Sequence, residues 1–447
     1  MKFANTGGGN IYDKVIDICK AGVKKMTKKL NPEELLGLID KGADIIIPIA
    51  NGEPVHLLDL LEENAERLED VKIHQMLALR ERNYIKGELA QLKHVSYFLS
   101  GATRKVYQQA KMELVPNNFH EVPRMLKKTT KMSMIMTVAS PMDEHGYFTF
   151  GTQADYIAEF VGEVPFILEV NENMPRTYGH NQIHISQIAG FVEHHAPLAE
   201  EKVGAVGDKD LLIASSIIED IQNGDTLQIG IGSVPNAVIS MLKDHRHLGI
   251  HTEMLPDGVV DLIKAGAVDG TRKFTNRGKV IATFAFGSKK LYDFIDNNPV
   301  VEFLPVSTVN DPREIAKEKN IVSINATTEV DLFGQCASET VGGKYYSSSG
   351  GQVDFARGVR FAENGKGYIC MASTAKGDTL SRIKLNLTPG SVVTTGKNDV
   401  DNIVTEYGIA RLHGVSISER AKRLISIAHP NFREELLFDA KKNGVII

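Results

Sequence analysis

Short apolar runs alternate along the chain with longer stretches in which apolar residues recur at helical spacing. The spacing predicts amphipathic helices over residues 53–66 and 208–221, with Asp208 as the N-cap of the second. Nine runs of apolar and β-branched residues predict strands, and several are apolar on both faces, as buried parallel strands are. These runs are 43–52, 132–140, 164–170, 226–232, 280–287, 300–305, 321–327, 367–374 and 391–396. The alternation predicts an α/β protein whose sheets are covered by helices.

A polar segment near the middle of the chain is the best candidate for a domain boundary. Residues 194–208, "HHAPLAEEKVGAVGD", carry proline and glycine and separate two blocks of similar strand–helix alternation. Each block has roughly 200 residues, which is enough to bury its own core. We therefore expect two domains, residues 1–200 and residues 201–447.

Composition and charge limit the kinds of binding partner and the cellular location that we expect for this protein. The 447 residues carry a formal net charge of −5 and no Lys/Arg-rich arm, which argues against a nucleic-acid partner. No apolar run reaches the roughly 18 residues of a membrane-spanning helix, so no membrane association is expected, and the N-terminus lacks the apolar region of a signal peptide. Cys19, Cys336 and Cys370 lie far apart and fit neither a disulfide framework nor a zinc pattern. A reducing, cytoplasmic location is therefore expected.

A glycine-rich turn is the first candidate for chemistry. In residues 227–238, "LQIGIGSVPNAV", an apolar strand runs into Gly230-Ile231-Gly232 and then into a helical pattern. Two glycines let the backbone approach a ligand closely, and free N–H groups at a helix start can hold an anion. Pro235 stands where a dinucleotide-binding fingerprint has its third glycine, and no Walker lysine follows. The turn is either a ligand loop or simply a tight strand-to-helix connection.

Glu253 is the second candidate. It closes a short apolar run in residues 248–258, "LGIHTEMLPDG", and this run could form a strand beside the one that leads into the glycine turn. In α/β sheets, ligands bind beyond the carboxyl ends of the strands, where a carboxylate can act as a base or as a nucleophile. The alternative is an exposed, solvated glutamate without a role.

A run of small residues is the third candidate. Residues 344–358, "KYYSSSGGQVDFARG", place serines and glycines where a backbone bends sharply or touches a ligand, with Asp354 and Arg357 following. A flexible surface loop is the alternative. The predicted strand before it, residues 322–339, offers Asn325 and Gln335 as amide donors.

The histidines do not form a metal pattern. His180 and His184 are four residues apart in a segment that alternates like a strand, and His245, His247 and His251 cluster in a turn. No cysteine or carboxylate completes a ligand set at metal-binding spacing, so no metal site is expected.

Four motifs in order resemble the class I CoA-transferases of the acetyl-CoA hydrolase/transferase family. These motifs are "QIGIGSVPNAV", "HTEMLPDGVVDLI", "SINATTEVDLFGQ" and "GGQVDFARG", and the branch they resemble contains 4-hydroxybutyrate CoA-transferases and butyryl-CoA:acetate CoA-transferases. "IIIPIANGEP", "HVSYFLSGATR" and "SPMDEHGYFTFG" extend the resemblance over nearly the whole chain. The resemblance implies two similar open α/β domains of the CoA-transferase/NagB-like type, with the active site in the cleft between them.

The resemblance also implies an activity. The enzyme would transfer CoA between a short-chain acyl-CoA and a free carboxylic acid, such as 4-hydroxybutyrate or butyrate with acetyl-CoA or acetate, in a ping-pong reaction. Glu253 would be the nucleophile, passing through a mixed anhydride and a glutamyl-CoA thioester. CoA is then a substrate rather than a tightly bound cofactor, and a homodimer or larger homo-oligomer is expected. Because an exposed loop carboxylate contributes little to stability, Glu253→Ala should abolish transfer and leave the protein folded.

Further site residues follow from the matching motifs. The resemblance implies that residues 228–232 line the CoA, that Asn325 contacts it, and that Asn310 donates to the thioester oxyanion. Ser348 stands where relatives carry a glycine of a Gly-x-Gly-Gly turn, and Lys376 would meet a CoA phosphate. The CoA-lining residues are Gln228, Ile229, Gly230, Ile231 and Gly232.

Three alternatives remain beside CoA transfer. A short-chain acyl-CoA hydrolase on the same scaffold would differ only in letting water resolve the intermediate. A non-catalytic CoA or nucleotide sensor is disfavoured by Glu253 after the glycine turn, and a Rossmann dehydrogenase is disfavoured by Pro235.

Overall fold

Two large, mainly parallel sheets organise the computed structural model, which describes residues 28–201 and 204–447. Cys19 lies outside the described residues, and the predicted boundary segment 194–208 is described except at positions 202 and 203. No helix in the described part of the chain is long and apolar enough to cross a membrane.

The first sheet is built from residues before position 194. The strands up to this point are β1 Asp44–Ile47, β2 Val71–Met76, β3 Leu92–Phe98, β4 Glu113–Leu114, β5 Met132–Ala139, β6 Tyr147–Thr149, β7 Phe166–Val170, β8 Tyr178–Gly179, β9 Gln182–His184 and β10 Ile188–Glu193. The helices are α1 Pro32–Leu36, α2 Val55–Glu63, α3 Arg104–Gln108 and α4 Val122–Thr129, and a 3₁₀ turn covers Phe119–Glu121. Seven strands form a wholly parallel sheet in the order β10-β7-β5-β1-β2-β3-β4.

The second sheet uses most of the remaining chain. Its half contains β11 Thr226–Ile229, β12 Gly249–Leu255, β13 Val280–Ala285, β14 Val301–Phe303, β15 Ile321–Ala326, β16 Glu329–Asp331, β17 Cys336–Ala337, β18 Thr340–Val341, β19 Lys344–Tyr345, β20 Lys366–Cys370, β21 Thr374–Ala375, β22 Leu380–Ser381, β23 Ile383–Lys384, β24 Asn402–Thr405 and β25 Gly408–Arg411. The helices are α5 Asp208–Ile218, α6 Ser233–Met241, α7 Asp257–Lys264, α8 Lys289–Ile295, α9 Val306–Val309, α10 Pro312–Ile315, α11 Gln352–Phe361, α12 Ile417–Ser426 and α13 Pro430–Lys442.

The strand order of the second sheet places the glycine turn and Glu253 next to each other. The order is β25-β24-β20-β15-β11-β12-β13-β14-β8, parallel throughout except between β24 and β25. The central strands are apolar on both faces because helices cover the sheet on either side; β13, for example, is buried at every position. Since neighbouring parallel strands point the same way, the residues that follow β11, β12 and β15 gather at one edge.

The two halves share an apolar interface. Met254, Phe284 and Val306 of the second half belong to the same buried cluster as Tyr97 and Phe119 of the first. Strand β8, from the first half, also completes the edge of the second sheet beside β14. Burial of this shared cluster favours a fixed geometry between the halves. The two α/β halves agree with the expected fold class, whereas the division at residue 200 stays a prediction.

Three of the predicted features differ from the observed elements. Residues 391–396 form no strand; Thr395 makes only an isolated bridge to Cys336. The predicted strand 322–339 breaks into β15, β16 and β17, because a turn held by the Asp331 side chain reverses the chain. Gly207, not Asp208, is the N-cap of α5, and the Asp210 carboxylate accepts from the Gly207 N–H at 2.9 Å.

Candidate active site

Strands β11 and β12 pair only at their start and then diverge. Thr226 pairs with Gly249 and Leu227 with Ile250, after which the Thr252 side chain stands between the strands. Its hydroxyl accepts from the Ile229 N–H at 3.3 Å and donates to the Met254 carbonyl at 3.0 Å. The two strands are therefore unpaired toward their carboxyl ends, where open α/β sheets hold their ligands.

Glu253 lies inside strand β12, two residues before its end, rather than on an exposed loop. Alternation along the strand places Thr252 and Met254 in the core, while Glu253 faces the other side and keeps part of its surface accessible. The expectation of an exposed loop carboxylate was wrong, because the strand continues to Leu255. The argument that Glu253 contributes little to stability therefore loses its basis.

Asn310 holds one oxygen of the Glu253 carboxylate. The residue is fully buried at the end of helix α9, and its Nδ2 donates to Glu253 Oε2 at 2.6 Å. Two contacts fix this helix in place. The Val306 N–H donates to the Asp155 carbonyl at 2.8 Å, and the imidazole Nε2 of His251, on the Glu253 face of β12, donates to the Val309 carbonyl at 2.7 Å. The structure thus brings together the two residues predicted to be catalytic.

A glycine pair covers the same carboxylate. A Cβ on Gly351 would lie 1.8 Å from Glu253 Oε2 and 2.2 Å from Asn310 Nδ2, so only glycine fits. The Gly351 N–H lies near enough to the Glu253 carboxylate to lower its pKa. A Cβ on Gly350 would approach Phe98, the last residue of β3 in the first sheet, to 3.3 Å. Backbone and side chains from both halves of the protein therefore cover one side of Glu253.

The segment that carries these glycines is anchored to the first half of the chain. The Arg104 guanidinium stacks on the Tyr346 ring at 3.5 Å, and its Nε donates to the Tyr346 carbonyl at 2.5 Å. Ser349 Oγ donates to the Asn117 carbonyl at 2.6 Å, and the Phe119 N–H donates to the Gly350 carbonyl at 3.3 Å. The serine- and glycine-rich run is thus a packed bridge between the halves and not a free surface loop.

Burial raises the pKa of Glu253 to about 7. The negative charge of Asp354 acts in the same direction, whereas the hydrogen bonds from Asn310 and Gly351 oppose the rise. The carboxylate is ionised above neutral pH, yet it is poorly solvated. A carboxylate with a strongly shifted pKa in a cleft is a typical candidate for a functional residue.

The glycine turn and Asn325 meet beside this carboxylate. Gln228 and Asn325 form a reciprocal amide pair across β11 and β15, with N···O distances of 3.2 and 3.0 Å. A Cβ on Gly230 would lie 3.0 Å from the Ile324 carbonyl oxygen, so a larger residue would require the neighbouring strand to move by a few tenths of an ångström. Gly232 adopts a φ of 123° immediately before α6. The arrangement exposes backbone and amide groups at the edge of the sheet.

The other predicted CoA contacts differ in position. The Ile229 side chain packs in the core, so only its backbone faces this edge, whereas the Ile231 side chain is exposed. Ser348 is buried two residues before Gly350. Lys376 is exposed at the turn between β21 and β22, six residues beyond the end of β20, which pairs with β15. Gln335 does not reach the site because its amide donates to Asp331 at 2.7 Å within a turn.

The structure also reports on the histidines and cysteines. No group of three or more His, Cys, Asp or Glu side chains suited to a metal ion occurs within residues 28–201 and 204–447. Cys336 and Cys370 are buried and free, and burial raises the pKa of both thiols well above the usual range.

Sequence reasoning missed four residues that shape the site: Phe98, His120, His251 and Asp354. The period-two alternation of a strand would have placed His251 on the face of Glu253. Asp354 was noted only as a neighbour of the glycine pair. Nothing in the sequence pairs it with His120, which lies 234 positions away.

Comparison with known proteins relates both halves to the same group. Residues 20–206 match the acetyl-CoA hydrolase/transferase N-terminal domain and residues 287–440 match its C-terminal domain, so Glu253 lies between the matched ranges. The succinyl-CoA:cyclohexane-1-carboxylate CoA transferase of Geobacter metallireducens is 43% identical over 93% of this chain and 95% of its own. The 4-hydroxybutyrate coenzyme A transferase of Clostridium kluyveri is 40% identical over 93% and 97%.

Two further comparisons extend this picture. The acetyl-CoA hydrolase of Yarrowia lipolytica is more distant, at 25% identity over 70% of this chain and 66% of its own. The crystal structure of RipA from Yersinia pestis superposes with a TM-score of 0.89 at 37% identity, covering 95% of this chain and 100% of that one.

Proposed function

This chain belongs to the acetyl-CoA hydrolase/transferase family, and from that premise we propose that it transfers CoA between a short-chain acyl-CoA and a free carboxylic acid through a covalent intermediate on Glu253. Transferases at 40% identity or more support transfer over hydrolysis, since the hydrolase compared is 25% identical. A dehydrogenase or a non-catalytic sensor finds no support in these relatives.

One observation carries the proposal. The Glu253 carboxylate lies at the carboxyl edge of the second sheet, accepts a hydrogen bond from Asn310 with the Gly351 backbone close beside it, and keeps part of its surface accessible. Donors on one side and an open face on the other suit a nucleophile that must receive an acyl group. Burial reduces the hydration that would otherwise shield the attacking oxygen.

The first half-reaction exchanges the acyl group for CoA. A Glu253 oxygen attacks the thioester carbonyl of the acyl-CoA, the carbon–sulfur bond breaks, and a mixed anhydride and the CoA thiolate result. The thiolate then attacks the Glu253 carbonyl of the anhydride. The donor acid leaves as a carboxylate, and Glu253 becomes a glutamyl-CoA thioester. No net proton is taken up, so the site needs no general acid.

The second half-reaction reverses these steps with the acceptor acid. Its carboxylate attacks the Glu253 thioester carbonyl, the CoA thiolate leaves, and a new anhydride forms. The thiolate then attacks the acceptor's acyl carbon, which gives the new acyl-CoA and restores the Glu253 carboxylate. Because an ordinary carboxylate and Glu253 are similar leaving groups, the thioester energy is retained at each step.

Asn310 and Gly351 have a defined part in this scheme. Each addition to the Glu253 carbonyl places negative charge on an oxygen; Asn310 already donates to one carboxylate oxygen, and the Gly351 N–H lies close to the same carboxylate. Donors held in place before charge develops lower the barrier without reorganisation, and a single one contributes about 10²–10³ in rate. The cover formed by Gly350, Gly351 and Phe98 also restricts access of water to the intermediate.

The CoA is proposed to lie along the edge formed by β11 and β15. Backbone groups of residues 228–232 and the Asn325 amide would contact the pantetheine arm, with Ser348 on the opposite side. Lys376 would meet a phosphate. Binding energy from this long arm can be used to press the thioester against Glu253. CoA is thus a substrate, and the chemistry above uses no metal.

The proposed acids are short-chain, with butyrate or 4-hydroxybutyrate exchanging against acetyl-CoA or acetate. Support comes from the activities of relatives, whose acids extend from 4-hydroxybutyrate to cyclohexane-1-carboxylate. Acids that differ by a methylene or a hydroxyl are separated by only about 1–3 kcal/mol in an apolar pocket. Several acceptors are therefore expected to react.

An acceptor-dependence assay tests the proposal. Acetyl-CoA is incubated with the enzyme and a panel of carboxylic acids, and the thioester products are identified by mass spectrometry. Transfer predicts new acyl-CoA, parallel double-reciprocal plots and negligible loss of thioester without an acceptor. Loss of acetyl-CoA at the same rate with and without acceptor acid would establish hydrolysis instead.

We also propose that the protein is a cytoplasmic homodimer or larger homo-oligomer. The free thiols of Cys336 and Cys370 fit a reducing compartment. Light scattering at assay concentration measures the assembly, and a mass equal to one 49.1 kDa chain would contradict it.

A further inference from the structure

His120 of the first half hydrogen-bonds the carboxylate of Asp354 in the second half, beside the candidate nucleophile Glu253. His120, in the 3₁₀ turn Phe119–Glu121, places its Nδ1 2.7 Å from Asp354 Oδ1, and its backbone N–H donates to Asp354 Oδ2 at 3.1 Å. Asp354 sits in the first turn of α11 with its side chain only 1% exposed. Both oxygens of this buried carboxylate are thus bound by one residue across the interface.

Asn310 lies between Asp354 and Glu253. Its Nδ2 donates to Glu253 at 2.6 Å and also lies near enough to Asp354 to lower the pKa of that carboxyl, while its Oδ1 is buried without a partner. An amide nitrogen has two hydrogens, one for each carboxylate. Turning the amide over would point Oδ1 at two acidic groups. The two carboxylates therefore select the orientation in which both N–H groups are used, and these charge-assisted bonds offset the unpaired oxygen.

We propose that His120 and Asp354 are a positioning pair: ionised Asp354, neutralised by His120, orients the Asn310 amide toward Glu253 and sets the pH at which Glu253 becomes a nucleophile. This inference rests on the proposed function for its catalytic consequence. Neither residue contacts the reacting atoms; both act through Asn310 and through charge.

The charges around the pair are consistent with this role. Burial lowers the pKa of His120, but Asp354, Glu121 and Asp311 together raise it above its ordinary value, so the imidazolium is favoured. Asp311 is itself paired with Arg313 at 2.5 Å. His251, on the Glu253 strand, has a pKa lowered to about 4 by burial and is neutral at working pH. Burial raises the pKa of Asp354, and the hydrogen bonds and positive charge of His120 oppose that rise and favour the carboxylate, whose charge in turn raises the pKa of Glu253.

Two single substitutions move the titration of Glu253 in opposite directions. Asp354→Asn removes a negative charge beside Glu253, so its titration moves to lower pH by about one unit. His120→Asn removes the positive charge that compensates Asp354, so the titration moves to higher pH. In both variants kcat falls about tenfold because the amide loses its fixed orientation, and KM for acyl-CoA changes little. Simple loss of structure would not give shifts of opposite sign.

The titration is measured in two ways, so that failure of this inference can be told from failure of the proposed function. ¹³C NMR of protein labelled at the glutamate δ-carbon, assigned with Glu253→Gln, follows Glu253 without turnover. The acid limb of the kcat/KM profile follows it during catalysis. His247→Asn is the matched control, because His247 binds Asp269 at 2.8 Å on the surface, and it should leave both readouts unchanged.

Opposite shifts in both readouts support the positioning pair. Shifts in the NMR titration without any transferase activity in wild-type protein would retain the pair and refute the proposed function. If Asp354→Asn does not fold, the upward shift in His120→Asn carries the test alone. An unchanged Glu253 titration in His120→Asn, or shifts of the same sign in both variants, would overturn the inference.

Discussion

Two buried carboxylates, Asp155 and Glu253, both have a pKa raised to about 7 by burial, yet their surroundings differ. Asp155 is completely buried, and its oxygens accept backbone N–H groups from Ile49 at 3.0 Å and Ile157 at 2.8 Å. Its own carbonyl accepts from Val306, across the interface between the halves. The Glu253 carboxylate instead accepts a hydrogen bond on one side and keeps an accessible face on the other. A raised carboxyl pKa alone therefore indicates burial, whereas an accessible face next to fixed hydrogen-bond donors indicates a candidate catalytic site.

The largest effect is expected when Glu253 loses the oxygen that we propose acts as the nucleophile. Glu253→Gln keeps the shape and the bond from Asn310 but cannot form an anhydride, so kcat for acyl transfer should fall about 10⁴-fold or more. Steady-state transfer with acetyl-CoA and butyrate measures this. Glu159→Gln is the control, because Glu159 is also partly buried with a raised pKa but lies in the first half. If kcat fell by a comparable factor in both variants, the accessible face of Glu253 would not distinguish it from a carboxylate that is merely buried with a raised pKa.

A smaller loss is expected when the cover over Glu253 is displaced. Gly351→Ala places a methyl group where Glu253 Oε2 and Asn310 Nδ2 now lie, so the donors and the carboxylate must separate. A displacement of this size costs about 10²-fold in kcat. Gly204→Ala is the matched control, since a Cβ there meets nothing within 4 Å. Full activity in Gly351→Ala would show that the backbone does not approach the carboxylate.

Asp155→Asn should change stability and leave catalysis intact. The amide replaces one acceptor oxygen with a donor that faces backbone N–H groups, which costs about 1–3 kcal/mol in the free energy of unfolding. Urea denaturation measures the loss, and kcat/KM of the folded variant should stay within about twofold of wild type. A large fall in kcat/KM with unchanged stability would place Asp155 in the active site and erase the contrast.

The smallest effect is a pH dependence of stability. The pKa of Glu253 is raised from 4.5 to about 7 in the folded protein, so the folded state binds the proton more tightly than the unfolded state. Stability is therefore lost as pH rises from about 4.5 to 7. Glu253→Gln lacks this loss and should have a Tm about 3 °C above wild type at pH 8, with no difference at pH 4.5. Calorimetry across this range checks it; a lower Tm for the variant at pH 8 would contradict the buried charge.

Much of the sheet architecture could be predicted because it follows from uninterrupted apolar runs. Strand β13, "VIATFA", is unmistakable, and the adjacency of β11 and β12 was inferred correctly from the turn and from Glu253. Strand β2, "VKIHQM", was missed because His74 and Gln75 are buried through hydrogen bonds that a hydropathy pattern does not reveal. Residues 391–396 have strand-like composition but pair only through Thr395, in an isolated bridge to Cys336 of β17.

The site was also predictable only in part, because some of its contacts are not visible in the local sequence pattern. Glu253 and the glycine turn are local in sequence, and the family motifs added Asn310. The anchors that bring the glycine pair over Glu253 join residues more than 200 positions apart: Arg104 to Tyr346, Ser349 to Asn117 and His120 to Asp354. Such contacts depend on how the two halves pack, which no local spacing encodes.

The most direct test of the central claim is capture of the covalent intermediate on Glu253. The enzyme is treated with acetyl-CoA without acceptor, reduced with borohydride or quenched with hydroxylamine, digested and analysed by peptide mass spectrometry. The account predicts that the peptide containing residues 248–258 carries the reduced or hydroxamate form of Glu253, and that excess acetate given before the quench decreases this signal. An unmodified Glu253 in an enzyme that still transfers CoA, or an adduct on another residue, would contradict it.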